Sequence, residues 1–125
     1  MRFNKLKISA DATSRLRSLR QRTGLTPNLL CRAAIMLSLE EGPVGQGARP
    51  DENGQEFNAY TLTGDYNGLI GALLRFVEET EPGREEVLGN EELVARLRTH
   101  IHRGVATLSV RAKSPADLAR LAMAA

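Results

Sequence analysis

The segment that most constrains the fold is the most apolar one, which reads TPNLLCRAAIMLSLEE from Thr26 to Glu41. Thr26 is a favourable N-cap, Pro27 suits the first helical position, and Gly42 with Pro43 ends a helix. A helix that is apolar on nearly every side must be buried on nearly every side. Because a chain of 125 residues has few other elements to cover it, we expect part of the cover to come from a second subunit. The helix residues assigned to that interface are Leu29, Leu30, Ala33, Ile35, Met36 and Leu37.

The residues before this helix alternate in polarity and then become helical. From Phe3 to Ile8 the pattern predicts a short strand with Leu6 and Ile8 towards the core and two lysines outwards. Ser9 can cap a helix over residues 10–22, which Thr23 and Gly24 end. Strand, basic helix, glycine turn and buried helix match the ribbon-helix-helix arrangement, in which strands of two subunits pair and can enter a DNA groove. The alternative is that the lysines only protect an edge strand from aggregation.

The remainder of the chain is predicted to be helical after a loop. Residues 43–63 form a Gly/Pro-rich loop ending in FNAYTL, which is either a short strand or the lead-in to a helix. A buried stripe begins near Asp65, a longer helix fits residues 90–110, and Ser114-Pro115 starts a last short one. We therefore expect a mainly α chain forming one compact, oligomeric domain over residues 1–125, with a ribbon-helix-helix-like part (1–42), a loop (43–63) and a helical part (64–125).

Charge is divided into three blocks. Residues 1–40 carry a net charge of +6, residues 41–92 carry −9, and residues 93–125 carry +5. Such segregation favours a surface that faces a polyanion and an acidic side that faces a partner or solvent. Two solvated basic ends explain the same pattern equally well.

A search for catalytic or metal-binding patterns finds none that is convincing. His100 and His102 lie two residues apart, so on a helix they point in different directions and are interpreted as surface or partly buried side chains. Cys31 lies in the most apolar helix, where burial makes a thiol inert. We expect no catalytic residues, no cofactor and no metal. No apolar run is long enough to cross a bilayer, and a single cysteine suits the cytoplasm.

Three segments together resemble a known family. They read RTGLTPNLLCRAAIMLSLEEG (22–42), GQEFNAYTLTGDYNGLIGALL (54–74) and LRTHIHRGVATLSVRAKSPADLARL (97–121). They are similar to the DNA sulfur modification protein family DndE, part of the phosphorothioation system that replaces a non-bridging phosphate oxygen of DNA with sulfur. The resemblance implies a small helical tetramer that binds DNA, preferentially nicked duplex. It also implies three partners: a cysteine desulfurase, an ATP-pyrophosphatase-like sulfur-transfer protein and an ATPase related to chromosome-maintenance proteins.

The resemblance implies that basic side chains on the assembled surface contact the DNA. In this chain they are Arg2, Lys5, Lys7, Arg15, Arg17, Arg20 and Arg22. Arginine can engage phosphate with two parallel hydrogen bonds. Gly24, between the first two helices, suits close helix packing at the centre of an oligomer. The leading hypothesis is thus a non-catalytic DNA-binding subunit; the alternatives are a ribbon-helix-helix transcriptional repressor and a scaffold subunit without direct DNA contact.

Overall fold

The computed structural model describes residues 1–83 and 87–123. The architecture is mainly helical with one two-stranded antiparallel sheet, which confirms the expected class. In chain order the elements are β1 (Lys5–Lys7), α1 (Ala10–Thr23), α2 (Pro27–Glu41), β2 (Glu56–Asn58), α3 (Ala59–Leu62), a 3₁₀ turn (Gly64–Tyr66), α4 (Asn67–Glu78), α5 (Asn90–Arg111) and α6 (Pro115–Met123).

The first two helices begin and end as their capping residues predict. The Ser9 hydroxyl accepts a hydrogen bond from the Ala12 N–H at 3.0 Å, which satisfies one free amide at the start of α1. Gly24 follows α1 with a φ of 77°, in the left-handed region that favours glycine. Thr26 occupies the N-cap position of α2, although its side chain makes no capping hydrogen bond.

Helix α5 supplies most of the cover of α2. The two helices approach so closely that a Cβ added to Gly104 would lie 1.9 Å from the carbonyl oxygen of Ala34. At this contact Cys31, Ala34 and Ile35 have no exposed surface. The apolar helix α2 is therefore buried largely within its own chain, because the 22-residue helix α5 packs against it.

This packing corrects part of the expected subunit interface. Leu30 and Ile35 are completely covered by their own chain and have no surface left for a second subunit. Leu29 stays 43% exposed, and the remaining members are partly buried. Those half-covered residues are Ala33, Met36 and Leu37.

The sheet forms within one chain. Strand β1 pairs antiparallel with β2, and Leu6 lies opposite Phe57. Leu6 and Ile8 are buried while Lys5 and Lys7 are exposed, so the predicted alternation is confirmed. Strand β1 thus has a pairing partner within its own chain, which the ribbon-helix-helix pattern does not predict. The segment FNAYTL, for which the sequence allows either strand or helix, contains the end of β2 followed by α3.

Helix α4 is less buried than its sequence pattern predicts. Ile70 and Leu74 belong to the core, but Leu69, next to Ile70 in the same helix, is 56% exposed. The last residue of α4, Glu78, is fully buried. Its carboxylate accepts four hydrogen bonds, from the N–H groups of Val44 and Gly45, from Arg96 Nη1 and from His100 Nε2, at 2.9 to 3.0 Å.

The Glu78 contacts bury two polar side chains of α5. Arg96 is buried and bonds Glu78, Glu81 and Glu92. His100, interpreted as a surface or partly buried residue, is also completely buried. A buried charge is tolerated where it is paired and hydrogen-bonded. The network thereby joins α4, α5 and the loop that follows α2.

Candidate nucleic-acid interface

The cations of α1 divide into two faces. Arg17 and Arg20 are exposed, and neither forms an ion pair within the described part of the chain. Arg15 and Arg22 lie seven residues apart, on one side of the helix, and are partly buried. The side chains of the first pair are therefore the more exposed of the two pairs.

The second pair fastens α1 to the end of α5. Arg15 Nη1 donates to the hydroxyl of Ser109 at 2.9 Å, and its Nε bonds Asp11 at 2.9 Å. Arg22 Nη1 donates to the carbonyl oxygens of Ser109 at 3.1 Å and Ala112 at 3.3 Å. These carbonyls belong to the last turn of α5 and the residue after it, where helical carbonyls lack an intrahelical partner and attract cations.

A third cation, which sequence reasoning missed, reaches the same point. Lys113 Nζ donates to the Ser109 carbonyl oxygen at 3.3 Å. We call Arg15, Arg22 and Lys113 the Ser109 cluster. Lys113 lies two residues after the end of α5, whose last turn contains Arg111, and a cation at a helix C-terminus is the one sequence signal that could have suggested it. Its proximity to Arg15 and Arg22 depends on tertiary packing, because those residues lie more than ninety positions away in sequence.

The remaining residues predicted to contact DNA lie near the N-terminus. The Lys5 side chain is 66% exposed and lies 3.9 Å from Glu56, whereas Lys7 is exposed without an acidic partner among the residues described. Arg2 is exposed, and its main chain is held by two hydrogen bonds to the Asn90 side chain. All three side chains are thus accessible.

A shallow cleft of about 480 Å³ borders Arg17. Its opposite wall is the segment before β2, where a Cβ at Gly54 would lie 2.1 Å from Thr13 Oγ1. The amides at the start of α1 are already used, since Asp51 accepts from the Ala10 N–H at 3.0 Å. The hydrogen bonds from Ala10 and Asn53 lower the pKa of Asp51. The Asp51 carboxylate would repel a second anion at this helix start. Arg17 is therefore the one side chain lining the cleft that could attract an anion.

The exposed face of α2 borders an apolar groove. The groove, of about 230 Å³, lies between α2, α5 and α6 and contains Met36, Leu37 and Leu121. A Cβ added to Gly24, just before this helix, would meet no atom of the chain within 4 Å, so the left-handed turn alone accounts for the glycine here.

Residues suited to metal or nucleophilic chemistry are dispersed. No group of three His, Cys, Asp or Glu side chains able to hold a metal occurs in residues 1–83 and 87–123. Burial raises the pKa of Cys31 to about 12, which keeps it a thiol. None of the helices described is long and apolar enough to cross a membrane.

Comparison with known proteins places these features in a family. The family described as DNA sulphur modification protein DndE matches residues 5–116. No curated protein matches the chain. The crystal structure of DndE from Escherichia coli B7A, involved in DNA phosphorothioation modification, has a TM-score of 0.72 at 22% identity and covers 86% of this chain and 100% of that one.

A second solved structure has the same fold. It is a glycine-to-lysine mutant of DndE involved in DNA phosphorothioation, with a TM-score of 0.69 and 21% identity, and the match covers 86% of this chain and 99% of that chain. At these identities the structures establish the fold, and the family match over residues 5–116 establishes the relationship. The chain therefore belongs to the DndE family of DNA sulphur modification proteins.

Proposed function

We propose that this chain is a non-catalytic, DNA-binding subunit of the phosphorothioation system. The observation that carries the proposal is the exposed pair Arg17 and Arg20 on α1, which has no acidic partner within the described residues. Cations left without a carboxylate partner attract the phosphates of DNA and release its counterions on binding. Lys5, Lys7 and Arg2 add accessible charge at the same end of the sequence.

The binding is proposed to be directed at the backbone and to favour nicked duplex. Arginine and lysine contacts to phosphate position a protein but carry little sequence information. A nick lowers the cost of bending the duplex over a convex basic surface. Equal affinity for nicked and intact duplexes at the same salt concentration would refute this preference.

Self-association is the second part of the proposal. The partly covered face of α2, with Leu29, Ala33, Met36 and Leu37, offers apolar surface for a second copy, and Gly24 lies just before it. A homotetramer would gather the α1 cations of several copies on one assembly. Light scattering on the purified protein tests this directly, and a monomer at micromolar concentration would refute it.

Fluorescence anisotropy with nicked and intact duplexes, over a range of salt concentrations, tests DNA binding. Replacing Arg17 and Arg20 together with Gln should lower the affinity about tenfold or more and reduce the salt slope by about two. The matched control replaces Arg49 and Arg98 with Gln, which removes the same charge at positions paired with Glu92 and Glu52. An unchanged affinity of the Arg17 and Arg20 variant would favour the scaffold alternative.

The repressor alternative receives less support. A ribbon-helix-helix repressor needs β1 to pair with the strand of a second subunit, and here β1 pairs with β2. A repressor would discriminate its operator from random duplex by about 1–3 kcal/mol per base pair. Competition with random duplex in the same assay separates the two functions. We further propose that the protein acts in the cytoplasm, together with the partner proteins of the system.

A further inference from the structure

We infer that the Ser109 cluster is a binding site for one phosphate group of the DNA backbone. The inference rests on the proposed function and assigns to it a site that lies away from the exposed pair Arg17 and Arg20. It adds Lys113, which belongs to the segment between α5 and α6, to the DNA-contacting residues. It also gives Arg15 and Arg22 a role beyond fastening two helices.

The cluster concentrates positive charge at one atom. Arg22 Nη1 and Lys113 Nζ both donate to the carbonyl oxygen of Ser109, at 3.1 and 3.3 Å. The two nitrogens therefore can be no farther apart than the sum of these distances. Arg15 reaches the hydroxyl of the same residue at 2.9 Å. Like charges this close repel each other, and an anion bound by their remaining donors would relieve the repulsion.

Few carboxylates neutralise this charge. Asp11 bonds Arg15 Nε at 2.9 Å. Asp117 accepts from the backbone N–H of Lys113 and pairs with Arg120 at 2.6 Å. With Arg120 counted, four cations thus face two carboxylates. Neither Arg22 nor Lys113 has a carboxylate partner in the part of the chain that the structure describes.

The side chains of the Ser109 cluster are also preorganised, and they retain free hydrogen-bond donors. The carbonyl contacts fix the Arg22 guanidinium, yet its Nε and Nη2 bond no described atom and are not buried. Lys113 keeps two of its three ammonium protons after donating one to Ser109. A phosphate group needs such convergent, fixed donors, and their placement beforehand lowers the entropy cost of binding.

The experiment measures the affinity of the full chain for intact duplex against salt concentration. Lys113→Gln and Arg22→Gln should each weaken binding by roughly tenfold and lower the salt slope by about one. Lys113→Gln removes an exposed side chain, so it guards against a folding defect of the Arg22 variant. The matched control is Arg75→Gln, because Arg75 also donates to a backbone carbonyl, that of Leu88 at 3.1 Å, outside the cluster.

The outcomes separate this site from the proposed function. Loss of affinity and slope in both cluster variants, with Arg75→Gln unchanged, supports the inference. Wild-type affinity and slope in Lys113→Gln, while the Arg17 and Arg20 variant loses binding, overturns the cluster and leaves the proposed function intact. Failure of the wild-type chain to bind duplex at low salt overturns both. Inorganic phosphate, added at constant ionic strength, should compete with duplex less well in Lys113→Gln than in the wild type; equal competition contradicts the site.

Discussion

His100 Nε2 donates a hydrogen bond of 2.9 Å to Glu78 Oε2, and both side chains are completely buried. On the other side of the imidazole, Nδ1 lies 2.8 Å from the hydroxyl of Ser38, which also accepts from Arg103 Nε at 2.9 Å. Burial lowers the pKa of His100 and so favours the neutral imidazole. With Nε2 donating to the Glu78 carboxylate, Nδ1 then accepts from the Ser38 hydroxyl, whose oxygen accepts from Arg103.

Removal of the Glu78 carboxylate should strongly destabilise the fold. Glu78→Ala leaves Arg96 buried without one of its carboxylate partners and frees two backbone N–H groups, so we expect a loss of about 3–5 kcal/mol in the free energy of unfolding. Urea denaturation followed by circular dichroism measures it. Glu79→Ala, at the exposed neighbouring residue, should change stability by less than about 0.5 kcal/mol. Equal effects of the two variants would show that the network is not stabilising.

Stability should fall as the pH decreases below the ordinary histidine range. Burial lowers the pKa of His100 below its usual 6.5, although the hydrogen bond to Glu78 opposes this. Burial would raise the pKa of Glu78, but the bond from His100 and those from Val44 and Gly45 outweigh it, so the pKa is lowered. Both groups therefore bind protons more readily in the unfolded chain, and acidification favours unfolding.

The urea midpoint measured from pH 8 to about pH 3.5 tests this sign. For His100 the loss begins as the pH falls below about 6.5, and for Glu78 it follows below about 4.5. The decline of the urea midpoint that begins near pH 6.5 should be absent in His100→Gln. His102→Gln, which removes the half-buried histidine of the same helix that bonds Ser9, should retain it. A midpoint that rises on acidification would contradict the neutral, buried form of His100.

A methyl group at position 104 should separate the two central helices. The Cβ of Gly104→Ala would lie 1.9 Å from the Ala34 carbonyl oxygen, and backbone atoms cannot move aside cheaply. We expect the free energy of unfolding to fall by at least about 1–3 kcal/mol, measured by thermal unfolding. Gly68→Ala is the matched control, because Gly68 is helical with no atom within 4 Å. The Gly68→Ala variant should be more stable than the wild type by about 0.5–1 kcal/mol. A loss of stability in this control would weaken the packing explanation.

The Cys31 thiol should be unreactive in the native protein. Burial raises its pKa to about 12, so almost no thiolate forms at neutral pH. Labelling with a maleimide should be slow for the folded chain and complete within minutes in denaturant. Rapid labelling under native conditions would indicate that α2 separates readily from α5.

The sequence determined the secondary structure of this protein closely. The capping residues of α1 and α2 are local signals, so both helices lie where Ser9, Pro27 and Gly24 placed them. The alternation of β1 correctly predicted which side chains face the core. The three sequence segments similar to DndE also identified the family, which the match over residues 5–116 confirms.

Tertiary structure decided which buried groups meet. Periodicity cannot tell that Arg96 and Glu78, eighteen residues apart, pair in the interior, because each residue alone is typical of a solvated helix surface. The same holds for the burial of α2: the sequence required a cover, but only the packing of Gly104 against Ala34 shows that α5 provides most of it. Local signals fix elements because they act through neighbouring residues, whereas pairing and burial depend on residues that the chain brings together only when it folds.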